Sequence, residues 1–133
     1  MQWIAVIVAA AAGFGLGAVW YNLLSKQWIE ASGVPVDEAG KPAGGANPMT
    51  FAGAFLCILV VAGMMRHALV TAGINAPASG LVAGLGIGLF FIAPWITLNV
   101  LFSMRPLRLA AIDGGYAAVA CAVMGLILAL FLP

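Results

Sequence analysis

Four unbroken apolar runs dominate this chain, over about residues 3–24, 50–74, 79–104 and 109–132. About 20 apolar residues in a helix cross a bilayer core of about 30 Å, so each run is long enough to span. Lipid gives the backbone no hydrogen-bond partners, and a spanning segment must satisfy its own as a helix. The runs are continuous and not alternating, which excludes the pattern of a membrane β-barrel. The expected fold is therefore all-α, a four-helix transmembrane bundle, with residues 1–133 forming a single integral membrane domain.

The charge content leads to the same reading. Of 133 residues, 65% are hydrophobic and 7% charged. A soluble domain carries about 25% charged residues, and one with so few could not cover its surface. A net charge of +1 supplies no field for nucleic acid, so none is expected as a partner. Membrane lipid is. The N-terminal run lacks a basic leader and continues to Leu24, which reads as an uncleaved first helix and not a signal peptide.

The breaks between runs are polar. Residues 25–49 hold Lys26, Glu30, Asp37, Glu38 and Lys41, and the stretch from Gly40 to Pro48 is dense in Gly and Pro. That predicts a loop, with a short interfacial helix around Lys26 to Ala31. Asn75-Ala76-Pro77 turns the chain after the second run, and Arg105-Pro106-Leu107-Arg108 makes a tight basic turn before the fourth. Pro94 should bend the third helix. Lys26, Lys41, Arg105 and Arg108 fall in the first and third loops, against Arg66 alone on the other side. Basic loops stay in the cytoplasm, so these two loops are expected there and both termini outside.

Helices in lipid associate through close backbone contact, which small residues permit. Ala9, Gly13 and Gly17 share a face of the first run, Gly80, Gly84 and Gly88 of the third, and Gly114, Ala118 and Ala122 of the fourth. These faces are expected to pack within the bundle, with a subunit interface as the alternative. Gly13 to Gly17 echoes Gly84 to Gly88, but the spacing to the following Asn differs by six residues, which argues against a duplicated hairpin.

Polar residues gather at the loop end of runs one, three and four. Tyr21, Asn22, Lys26, Trp95, Asn99, Arg105, Arg108, Asp113 and Tyr116 form the candidate cluster, with Trp20 and Trp28 beside them. Interfacial anchoring explains most of that list. Asp113 is different, because a carboxylate one turn into an apolar helix needs a partner. It is expected within salt-bridge or hydrogen-bond reach of Arg105, Arg108 or Lys26, with Tyr21 or Tyr116 nearby, and Tyr116 shares its face at i, i+3. Trp95 and Asn99 share another face at i, i+4. Cys57 and Cys121 have no Cys or His at metal spacing and read as small buried hydrophobes. His67, beside Arg66, reads as interfacial. No catalytic set, metal pair or phosphate-binding loop stands out, so no catalytic residue, cofactor or metal is expected. The Gly-x-Gly runs sit inside apolar helices and not between a strand and a helix.

Gly17-Ala-Val-Trp20-Tyr21 and Lys26-x-Trp28, followed by Ala93-Pro94, Leu101-Phe102-x-x-Arg105-Pro106 and Asp113-Gly-Gly-Tyr116, resemble the signature of a family of small bacterial membrane proteins. It is known as domain of unknown function 1761. The likeness spans nearly the whole chain. Where that family usually has a Pro-containing stretch after the Trp-Tyr pair, this chain has Asn22-Leu23-Leu24. The resemblance implies a four-helix membrane fold in a bacterial inner membrane and carries no activity with it. Membrane glutathione and eicosanoid enzymes are four-helix chains too, but they need Arg, Asn and Glu within the spans. Here no span holds a Glu.

The functional expectation is a small non-enzymatic multi-pass membrane protein, an accessory or assembly subunit or a homo-oligomer. A carrier or channel-like protein for a small solute or ion is the alternative. A membrane enzyme on a lipophilic substrate comes third. Polar residues confined to one end disfavour continuous conduction.

Overall fold

A computed structural model describes residues 2–43 and 47–133. Met1 and the Gly44-Gly45-Ala46 part of the expected loop lie outside the described residues. The first run forms α1 (Gln2–Leu23) and leads into a short helix, α2 (Ser25–Ser32). The second run is α3 (Pro48–Thr71). The third is α4 (Pro77–Ile87), a π-helical turn over Gly88–Ile92 and α5 (Ala93–Phe102), and the fourth is α6 (Leu107–Leu130). Four helical stretches, Gln2–Leu23, Pro48–Thr71, Pro77–Phe102 and Leu107–Leu130, are long and apolar enough to cross a membrane. The fold is an all-α bundle of these four.

Local chemistry sets the ends. Asn47 caps α3, its Oδ1 accepting the Met49 N–H at 2.9 Å, and Pro48 occupies the first turn, where no N–H is required. α3 thus begins two residues before the expected span. It stops at Thr71, three residues early, because Gly73 turns the chain at φ +71°. The α5–α6 turn has no glycine. There Met104 itself takes the left-handed conformation, φ +58°, and the Arg105 N–H closes onto Val100 O at 3.1 Å.

Pro94 acts one turn earlier than a simple kink would place it. A proline lacks an N–H and its ring clashes with the carbonyl four residues back, here Phe90. The chain answers with the wide turn, in which the Ala93 N–H bonds to Gly88 O, five residues back. Thr97 Oγ1 then donates to Ala93 O at 2.8 Å.

α6 is the centre. Half of its most apolar stretch is buried inside the protein, against 33% for α1 and 11% each for α3 and the third span. The buried residues of α6 are mostly Ala and Gly, and this thinness lets α4 and α1 press on it from different sides. On the α4 side, a side chain added at Gly84 would meet the Cys121 backbone, and one at Gly80 would meet Gly125 and Ala129. A Cβ on Gly88 would stand 2.6 Å from Ala118 Cα, and one on Gly114 would stand 3.1 Å from Ala93 Cβ. On the α1 side, a Cβ on Gly13 would meet Met124 Sδ at 2.9 Å and one on Gly17 the Tyr116 hydroxyl at 2.8 Å. Gly13, Gly17, Gly80, Gly84, Gly88, Gly114 and Ala118 are all buried within this one chain, so these faces are not free to meet another subunit.

Toward the chain termini lies a dry core of Ala5, Val6, Ala9, Ala62, Met65, Leu69, Cys121, Met124 and Leu128. A smaller cluster at the loop end joins Ala31 of α2 to Val100, Leu109 and Ala110, with Trp28 and Ile96 packed on it. Cys121 is buried as expected. Cys57 is not: it points outward from α3.

Candidate functional site

The polar groups that meet inside the bundle come from α1, α2 and α6. Tyr21, near the end of α1, donates its hydroxyl to Asp113 Oδ1 at 2.6 Å. One residue earlier, the Trp20 indole N–H donates to Ile112 O at 3.0 Å. One turn further along α6, the Tyr116 hydroxyl donates to Gly13 O at 2.7 Å, resting where Gly17 has no side chain. The three bonds join α1 to α6 in antiparallel register, since the later residues of one helix meet the earlier residues of the other.

The rings complete the group. Tyr21 and Tyr116 meet edge to face with centroids 5.4 Å apart, and Trp28 of α2 closes on Tyr21 at 6.0 Å. Such edge contacts add modestly to burial. Ala31 is buried against α6, which holds α2 under the loop end of the bundle and brings Trp28 into place.

The expected cation is missing from this arrangement. Among the described residues no ion pair forms to Asp113. Arg108 instead reaches Glu30 at 3.9 Å, with both side chains more than half exposed. Arg105 lies over Gly33, the left-handed residue that ends α2, in space that a Cβ there would fill. Lys26 and Asn22 line a shallow open depression of about 420 Å³ with Ser25, Ile29, Glu30 and Gly40. The physical reason is α2. It lies across the mouth of the α1–α6 seam and takes the basic side chains to its own residues.

Trp95 and Asn99 do share a face of α5, but that face points outward, and Trp95 is 67% exposed. The structure therefore gathers Tyr21, Asp113 and Tyr116 from the sequence-derived cluster. It leaves Asn22, Lys26, Trp95, Asn99, Arg105 and Arg108 outside. It adds Trp20 and Trp28 as direct participants, and backbone carbonyls of Gly13 and Ile112 that no side-chain pattern could reveal.

Chemically, the group is a carboxylate held by a phenol, backed by aromatic rings and two carbonyl-bound donors. Each donor is used within the chain. No group of His, Cys, Asp and Glu that could hold a metal occurs among the described residues.

The chain belongs to a family described as protein of unknown function (DUF1761), whose model matches residues 4–129. Neither a curated protein nor a solved structure matches it.

Proposed function

We propose that this chain is a non-enzymatic multi-pass membrane protein that works as a subunit, associating with a second copy of itself through the outward face of α3. The observation that carries this is the contrast in burial: α6 is packed on several sides, whereas α3 buries only Ala62, Met65 and Leu69. The small-residue faces of the other spans are consumed within the chain. On α3, Gly53 and Cys57, one turn apart, share an outward face, and among the described residues nothing beyond the helix's own turn comes within 4 Å of a Cβ built on Gly53. The glycine allows a neighbouring backbone to come close at that turn, with exposed Leu56 and Val60 beside it to pack on a partner.

Cys57 is a built-in reporter on that face. Copper-catalysed oxidation in native membranes should give a disulfide-linked dimer that Cys57→Ser abolishes. A chain that stays monomeric under oxidation and in gentle detergent would sink the proposal. The same reading puts the first and third loops in the cytoplasm of a bacterial inner membrane, supported by their basic residues. Cysteines introduced at Gly40 and Pro133, with Cys57 and Cys121 removed, should then label from opposite sides.

A second reading, a carrier for a small solute or ion, is favoured by the Tyr21–Asp113 pair, a carboxylate within a span with no cation on it. Under it, Asp113→Asn would fold normally and lose bound ligand. Under the subunit reading, the variant loses stability and keeps its oligomeric mass.

A further inference from the structure

Arg66 sits five residues before the end of α3, about 8 Å along the axis at 1.5 Å per residue. α3 is about 36 Å long by the same rise, and the hydrocarbon core is about 30 Å thick. Arg66 is therefore attached below the membrane surface, at the end where the chain termini lie. Its helix neighbours Ala62, Met65 and Leu69 belong to the dry core. Its Nε is buried with no hydrogen-bond partner among the described residues.

Direction makes escape to water harder. The Cα–Cβ bond tilts toward the start of a helix. α3 starts at the opposite membrane face, so the Arg66 side chain sets out toward the bilayer centre. An arginine at the start of a span is helped to the surface by this tilt; Arg66, near the end of its span, is hindered.

No acidic side chain of the chain pairs with Arg66 among the described residues. Its four acidic residues, Glu30, Asp37, Glu38 and Asp113, all lie at the other end. Glu30 meets Arg108, Asp37 accepts from its own turn, and Asp113 accepts from Tyr21. A second copy inserted the same way round would place its own acids equally far off. With no ion pair to Arg66 among the described residues, the membrane or the solution at its level can supply the anion. Trp3, 72% exposed on α1, lies at the same end, where aromatic rings mark the headgroup level.

We propose that Arg66 binds the phosphate of a membrane phospholipid in the leaflet beside the chain termini. The guanidinium fork fits two phosphate oxygens, and the reach needed is from just inside the core to the headgroup. The proposal rests on the membrane-spanning reading, and failure of that reading would appear separately, as a chain recovered from the soluble fraction.

The test uses the full chain, stripped of lipid in detergent, with thermal unfolding followed as lipid is added. Phosphatidylglycerol should raise the midpoint by several degrees, and monoglucosyl diacylglycerol, which lacks phosphate, should not. Arg66→Gln should lose the gain. An equal gain in Arg66→Gln, or from the glucosyl lipid, overturns the proposal. A gain reproduced by inorganic phosphate alone also overturns it, in favour of a soluble anion. If Arg66→Gln does not fold, native mass spectrometry of the unaltered chain decides. Retention of phosphatidylglycerol over equimolar glucosyl lipid supports the site, and equal retention refutes it.

Discussion

The two ends of the bundle are held by different means. At the loop end, α1 and α6 are tied by hydroxyl and indole donors: Tyr21 to Asp113, Trp20 to Ile112 O and Tyr116 to Gly13 O. Toward the termini the same helices meet through Ala5, Ala9, Met124 and Leu128, without a polar bond between side chains among the described residues. Lipid tails are as apolar as a leucine, so apolar burial alone drives little association there. The dry end must depend on shape, and the loop end can tolerate a looser fit because its bonds have direction. Arg66 then stands out as a charge in the half of the bundle held by shape, its Nε without a partner among the described residues.

Breaking shape should cost most. Gly84→Leu would drive a side chain into the Cys121 backbone, which cannot yield as a flexible side chain could. A loss of about 3 kcal/mol is expected, at the upper end for overpacking, read as a lowered unfolding midpoint in detergent. Unchanged stability would mean that α4 and α6 can part freely and that shape is not what holds them.

Breaking a bond at the loop end should cost less and depend on what is left behind. Tyr21→Phe takes the donor from Asp113 and should lose about 2 kcal/mol, the cost of stranding a partly buried acceptor. Adding Asp113→Leu should recover part of that loss, because no stranded carboxylate remains. A double variant less stable than Tyr21→Phe would show that Asp113 has a further partner. Tyr116→Phe removes a bond to a carbonyl already engaged in its helix, and about 0.6 kcal/mol is expected, the average for such bonds in membranes. Smallest is Glu30→Gln, which breaks a pair whose members are more than half exposed and should cost under about 0.5 kcal/mol. Equilibrium unfolding of the three single variants, ranked in that order, checks the contrast.

The spans were legible because hydropathy and length act along the chain, where sequence is read. The short helix after the first span was legible too, from Lys26 to Ala31, and the structure gives Ser25–Ser32. The partner of Asp113 was legible only in part: Tyr21 was expected nearby, but a cation was expected to pair with the carboxylate. Charge suggested Arg105, Arg108 or Lys26, all nearby in sequence or on the same loops. The actual donor, Tyr21, is 92 residues away and carries no charge. Its selection depends on α2 crossing the seam, which no local pattern specifies. Trp95 and Asn99 show the same limit: a spacing of four puts two residues on one face but does not say which way that face looks. Met104 shows another, since a left-handed turn without glycine leaves no mark in composition.

The wide turn at Gly88–Ile92 has one more effect, on phase. Gly80, Gly84 and Gly88 recur every four residues along the third span, and a regular helix would next bring bulky Ile92 to the seam. Because the Ala93 N–H reaches back five residues to Gly88, the extra residue is absorbed and Ala93 takes that place, against Gly114. A proline that could have cost the third span a kink thus coincides with a slip of one residue. That slip keeps the small side of the strip facing α6 from Gly80 to Ala93, with the two helices in step on both sides of the proline.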